Sequence, residues 1–224
     1  MKTDFIVIFD LDGLILDTES IARDAWKYAS SDVGQEVSAE LVRRMTGRTL
    51  KDIRQILSDW FSDQELVGRL LDQANHHYHR LIDEVEPALK PGVYEVLDFL
   101  EAEDIPKGLA TSSNSDQLEH KLRGKHILPR FAHVICGDQI SRGKPAPDMF
   151  LALASRFESS PRNCFVLEDS GPGIEAASCA GMRPLLVPDH GDPQPETLER
   201  AEAHFNDLYE VVKYLETEVS GANF

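Results

Sequence analysis

Two aspartates, Asp10 and Asp12, stand two positions apart directly after the apolar run Phe5–Phe9, and Gly13 follows them. Carboxylates beside a dry core are costly unless a metal ion or a reaction uses them. Three more polar segments lie behind short apolar runs. Thr111-Ser112-Ser113-Asn114 follows Gly108–Ala110, Gly143-Lys144-Pro145 lies beyond Ala132–Cys136, and Glu168-Asp169 follows Cys164–Leu167. Together they hold the parts for phosphoryl transfer: a carboxylate nucleophile, an acid/base and charge stabilisers. Asp10, Asp12, Glu168 and Asp169 form a set of hard oxygen donors that suits Mg²⁺. Thr111 and Ser112, with the backbone N–H groups of a helix start, suit phosphate oxygens, and Lys144 adds a positive charge.

These groups must be brought together by the elements that carry them. A continuous apolar run such as Phe5–Phe9 fits a strand buried on both faces, as in a parallel sheet. A fifth run, Pro184–Val187, fits the same description. Helical spacing fills most intervals: Val93, Leu97 and Leu100; Met149, Leu151, Leu153, Ala154 and Phe157; Ile174, Ala177 and Ala180. The alternation predicts an α/β fold, a Rossmann-like parallel sheet. Its carboxyl edge, where such sheets bind ligands, would gather all four polar segments.

Residues 18–85 break that rhythm. Trp26, Ile53, Ile56, Leu57 and Trp60 mark helices, and Asp63 reads as the N-cap of a long one carrying Leu66, Leu70, Ala74, Leu81 and Val85. We expect about four helices inserted after the first strand. The expected division is a core of 1–15 and 87–224 with a helical cap of 16–86. Crossings near Leu14–Thr18 and Glu84–Pro91 would act as hinges, with Asp17 and Thr18 capping the first cap helix. A lid of this kind would exclude water from the strand ends.

Charge and composition narrow the partners. Lys+Arg 23 against Asp+Glu 39 gives a net charge of −16, which argues against nucleic-acid and anionic-membrane partners. No apolar stretch approaches a membrane span. Lys2 and Asp4 precede only five apolar residues, too few for a secretory signal. Cys136, Cys164 and Cys179 form no C-x-x-C pair, so buried thiols fit better than disulfides. The expectation is a reduced, cytoplasmic, monomeric protein acting on a small phosphorylated metabolite. His76 and His79 share a helix face but lack a third placed ligand, so His76, His77 and His79 read as packing or solvated side chains. Gly47-Arg48-Thr49 reads as the C-cap of one helix and the N-cap of the next.

The ordered segments DLDGLILDTE, ATSSN, GKPAPDMF and EDSGPGIEAA resemble the haloacid dehalogenase-like hydrolases, in the branch with a helical cap between the first and second motifs. Within that branch the chain is similar to sugar- and nucleoside-monophosphate phosphatases, including the pseudouridine-5′-phosphatase group, and to β-phosphoglucomutase. The resemblance implies that Asp10 is the nucleophile and a metal ligand. It makes Asp12 the acid/base, with a metal-binding main-chain carbonyl. Asp169 would be the main remaining metal carboxylate, assisted by Glu168. Thr111 and Lys144 would hold the phosphoryl group, with Ser112, Asn114 and Arg48 as further substrate contacts. Two departures from the mutases favour a Mg²⁺-dependent phosphatase over a phosphomutase. Ala22 stands where they carry His, and Met45-Thr46-Gly47-Arg48 replaces their Lys-Gly-Val-Ser-Arg-like run. Asp12 itself argues against dehalogenase and phosphonatase chemistry. A phosphate-binding module without activity is the third reading, disfavoured because every catalytic position is filled.

Overall fold

The computed structural model describes residues 5–45, 50–189 and 193–221, so Arg48 lies outside the described residues. The chain begins with β1 (Ile6–Phe9) and continues through helices α1 (Glu19–Val33), α2 (Ala39–Met45), α3 (Leu50–Phe61) and α4 (Gln64–Glu84). Next come α5 (Val93–Ala102), β2 (Lys107–Thr111), α6 (Ser115–Lys121), β3 (His133–Cys136), α7 (Asp148–Arg156) and β4 (Cys164–Glu168). The chain closes with α8 (Gly171–Cys179), β5 (Arg183–Leu186), α9 (Pro195–Arg200), β6 (Ala203–His204) and α10 (Leu208–Gly221). Two compact units result. One joins the residues up to Leu16 to those from Leu89 onward, and the other is Asp17–Ala88.

The first unit holds the expected parallel sheet, with strand order β3-β2-β1-β4-β5-β6. Both of its faces are covered, which is why β1 is apolar at every position. Val7 and Phe9 pack with Leu97, Leu100, Leu118, Val211 and Leu215 of α5, α6 and α10. Ile6 and Ile8 pack with Phe150, Leu153, Ala176 and Ala177 of α7 and α8 on the other side. From β1 the chain winds outward to β2 and β3, then returns to β4 beside β1 and winds the other way. The β1/β4 boundary is therefore the point where strand order reverses, the place at whose carboxyl ends open α/β sheets bind ligands. The Asp10 N–H continues the β1–β4 ladder by donating to Leu167 O at 3.0 Å.

The Asp17–Ala88 unit is helical throughout its named elements. Ile21 and Ala25 of α1 meet Leu81 and Ile82 of α4, while Leu41, Met45, Leu57 and Val67 form a second cluster. Asp63 caps α4 as expected, accepting from the Glu65 and Leu66 N–H groups at 3.0 and 3.1 Å. Val67 rather than Leu66 is buried, and Val85 lies past the helix end, 48% exposed. At the start of α1, Thr18 occupies the cap position without a side-chain bond, and Asp17 accepts from the Ser20 N–H at 3.2 Å. His77 packs with its Nε2 2.7 Å from Asp32 Oδ2, whereas His76 and His79 are exposed.

Two features of the core depart from the sequence reading. β6 has only two residues, too few to register as an apolar run. Leu151 is 41% exposed because the buried side of α7 is Met149, Phe150, Leu153 and Ala154. At the amino edge of the sheet, Glu101 ties elements together. Its carboxylate lies 2.9 Å from buried Lys107 and accepts from Arg130 Nε and Nη2 at 2.8 Å each. The Arg130 and Lys107 hydrogen bonds pull the Glu101 carboxyl down to about 2. A depressed acid stabilises the fold above its ordinary range, and the contribution is lost as pH falls toward 2. We expect Glu101→Gln to lower stability by about 1 kcal/mol at pH 7. The gap from wild type should close between pH 4.5 and 2 in thermal melts.

Candidate active site

Asp10 sits one residue beyond β1, with 6% of its surface exposed. One of its oxygens pairs with the Lys144 ammonium, which also lies 2.5 Å from Glu168 Oε1. Lys144 comes from the segment between β3 and α7, and Phe150 of α7 places its ring centroid 5.4 Å from the ammonium. Glu168 ends β4 and is fully buried. Its other oxygen accepts from Ser170 N at 3.1 Å and Ser170 Oγ at 2.8 Å. That hydroxyl also caps α8 by accepting from Gly173 N at 3.1 Å.

This crowding shifts the charges. Burial raises the Asp10 carboxyl to about 7, with Glu168 and Asp12 adding to the rise and Lys144 opposing it. Burial also works against the Lys144 ammonium, but Asp10 and Glu168 outweigh it and hold the amine above the ordinary lysine range. One lysine therefore serves two buried acids.

Asp10, Glu168 and Asp169 each offer a carboxylate oxygen within 4.8 Å of the others, the only such acidic, His or Cys group of three among the described residues. All-oxygen donors at this separation fit a small hard divalent cation. Two glycines make the close approach possible. Gly13 turns the chain at φ +86°, and a Cβ there would come 2.1 Å from Asp169 Oδ2. A Cβ at Gly173 would come 1.9 Å from the Glu168 carboxylate.

The end of β2 supplies hydroxyls. Thr111 is fully buried, and its Oγ1 accepts from Ser113 N at 3.1 Å, leaving its own proton to donate. Ser112 is exposed. Asn114 caps α6, accepting from Gln117 N at 2.8 Å in a reciprocal capping box.

Asp12 has partners of its own that the sequence reading missed. Ser113 Oγ donates to Asp12 Oδ2 at 2.9 Å, and Lys121 Nζ donates to Asp12 Oδ1 at 2.7 Å. Lys121 is one of several cations in the stretch Lys121–Lys125 and does not stand out by type. A signal did exist in its spacing. Leu118, Lys121 and Leu122 share a helix face, and all three are buried.

Comparison with known proteins identifies the family. The family pattern of haloacid dehalogenase-like hydrolase matches residues 7–187. The chain is 32% identical over 196 residues to the "Probable pseudouridine-5′-phosphatase" of Drosophila melanogaster, covering 85% of this chain and 84% of that one. It is also 32% identical over 196 residues to the β-phosphoglucomutase of Bacillus subtilis, covering 84% of each. A solved haloacid dehalogenase-like protein of unknown function from Agrobacterium tumefaciens superposes with a TM-score of 0.81 at 26% identity, over 96% of this chain and 98% of that one. With the matched pattern spanning most of the sequence and the polar segments gathered at the strand ends, the chain belongs to the haloacid dehalogenase-like hydrolases.

Proposed function

We propose that this protein is a Mg²⁺-dependent phosphatase of small phosphomonoesters, of the sugar phosphate or nucleoside monophosphate type, working through an aspartyl-phosphate. The observation that carries this reading is the setting of Asp10: a buried carboxylate beside Lys144 and the Glu168/Asp169 pair, with Asp12 two residues away. Asp10 attacks phosphorus, and the bond to the leaving alkoxide breaks. Asp12 gives that alkoxide its proton. Water then attacks the acyl phosphate, Asp12 takes the water's proton, and free phosphate leaves with Asp10 restored. Lys144 and the Thr111 hydroxyl stabilise charge on the transferring group, each worth about 3 kcal/mol by analogy with oxyanion-hole donors.

Asp10, Asp169 and the Asp12 main-chain carbonyl would hold Mg²⁺. Bound there, the ion would offset negative charge around the reacting phosphoryl group. Both Glu168 oxygens already have protein partners, Lys144 and Ser170. That supports a role for Glu168 in holding Lys144 rather than as a primary ligand. The helical unit is proposed as the cap domain. Curated relatives include both a phosphatase and a mutase; Ala22 and Met45-Thr46-Gly47-Arg48 support the phosphatase.

Three outcomes are expected. With Mg²⁺, a panel of phosphomonoesters should include some that release inorganic phosphate, and chelation should stop that release. Asp10→Asn should abolish both turnover and the hydroxylamine-sensitive phosphoenzyme. An active Asp10→Asn protein, or β-glucose 1-phosphate isomerised faster than phosphate is released, would overturn the reading. Second, a cation must displace any proton on Asp10, whose carboxyl is raised to about 7. Calorimetry in buffers of different ionisation enthalpy should therefore show Mg²⁺ binding weaken below pH 7, with proton release on binding. Third, Gly173→Ala should force Glu168 aside. Stability should fall by about 1–3 kcal/mol, and kcat should fall because Lys144 loses its support.

A further inference from the structure

We infer that Lys121, with Ser113, is a positioning residue that fixes the Asp12 carboxylate in the orientation needed to pass a proton. The three groups close a ring. Lys121 Nζ donates to Asp12 Oδ1 at 2.7 Å and to Ser113 Oγ at 2.9 Å, and Ser113 Oγ donates to Asp12 Oδ2 at 2.9 Å. Both oxygens of Asp12 are held by groups that are also bonded to each other. A free aspartate samples several staggered side-chain rotamers; this ring retains one.

Burial points the same way. Lys121 is 5% exposed and Ser113 6%, while the Asp12 side chain is 30% exposed. The carboxylate is thus the accessible tip of a buried polar assembly. An ammonium at the end of a helix whose neighbours Leu118 and Leu122 are in the core is an expensive choice. A leucine would pack there without that cost. Asp12 also needs a holder of its own, because Lys144 is engaged by Asp10 and Glu168. Two aspartates two residues apart are therefore served by two different lysines, reached from different strand ends.

The inference rests on the phosphatase reading, in which Asp12 handles the proton. That role gives it a distinctive signature. An alkoxide leaving group needs Asp12 in the first step, whereas a 4-nitrophenolate does not. Both substrates need Asp12 when water attacks the phosphoenzyme.

Lys121→Met, Lys121→Arg, Ser113→Ala and Asp12→Asn would be compared with wild type on 4-nitrophenyl phosphate and on an alkyl phosphate that wild type turns over. Stopped-flow recording would separate the first turnover from the steady state. In Lys121→Met, kcat on the alkyl phosphate should fall about 10²-fold, with KM nearly unchanged. On the aryl phosphate, the first turnover should survive and a burst of nitrophenol should appear as the phosphoenzyme accumulates. Lys121→Arg should restore part of the rate. Ser113→Ala, which removes a single hydroxyl, should show the same pattern more weakly and carries the test if Lys121→Met does not fold. Equal losses on both substrates with no burst, or losses that merely follow the folded fraction in thermal melts, would overturn the inference. If Asp12→Asn shows the burst and the lysine and serine variants do not, only the positioning role falls. If Asp12→Asn lacks it, the acid/base reading falls and this inference with it.

Discussion

Like charges held close together in a place that water barely reaches set the terms for this structure. Two unit charges 4 Å apart interact by about 4 kcal/mol even at an effective dielectric of 20, and Asp10, Glu168 and Asp169 present oxygens within 4.8 Å of one another. Lys144 offsets part of that repulsion by touching both Asp10 and Glu168. The remaining excess of negative charge suits a divalent cation. The parallel sheet delivers the acids from neighbouring strands β1 and β4, and the segment before α7 delivers the lysine. Helices on both faces keep β1 and β4 dry up to their last residues, so the charges meet at the carboxyl border of the core.

Asp12 lives under different rules, though it is only two residues from Asp10. Asp10 is shut in with a cation, while Asp12 is partly exposed and held from below by a serine and a second lysine. Environments that differ this much are what allow two carboxylates of one type to do different jobs. The separation is a product of topology. Thr111, Ser113 and Lys121 come from β2 and its helix on one side of β1, and Glu168 and Ser170 come from β4 on the other.

The parts of this arrangement that were legible in the sequence share a physical reason. A strand buried on both faces leaves a continuous apolar run, so β1 and β4 stood out, with β2, β3 and β5 leaving shorter runs, and the acids were visible as abrupt ends to the first two. β6 did not, because a two-residue edge strand has no pattern to leave. Lys144 stood out only through its order among the other segments. Lys121 was hidden for the opposite reason: its neighbours His120, Arg123 and Lys125 resemble it in type, and only the helical phase of Leu118 and Leu122 marks it as inward-facing. Asn114 shows how one residue type serves two readings, since the polar atom that would suit a phosphate also suits the helix start it caps.

Gly13 and Gly173 give the recognisable segments another meaning. Each occupies the space directly against a carboxylate, so the chain records the acids twice, once as side chains and once as the hollows that receive them. The glycines are the mould and the aspartate and glutamate are the cast. A relative could keep the mould after its acids had mutated, and its sequence would still look like a member of the group while its chemistry had gone. Telling working enzymes from silent copies therefore requires checking the cast as well as the mould, and this chain retains both.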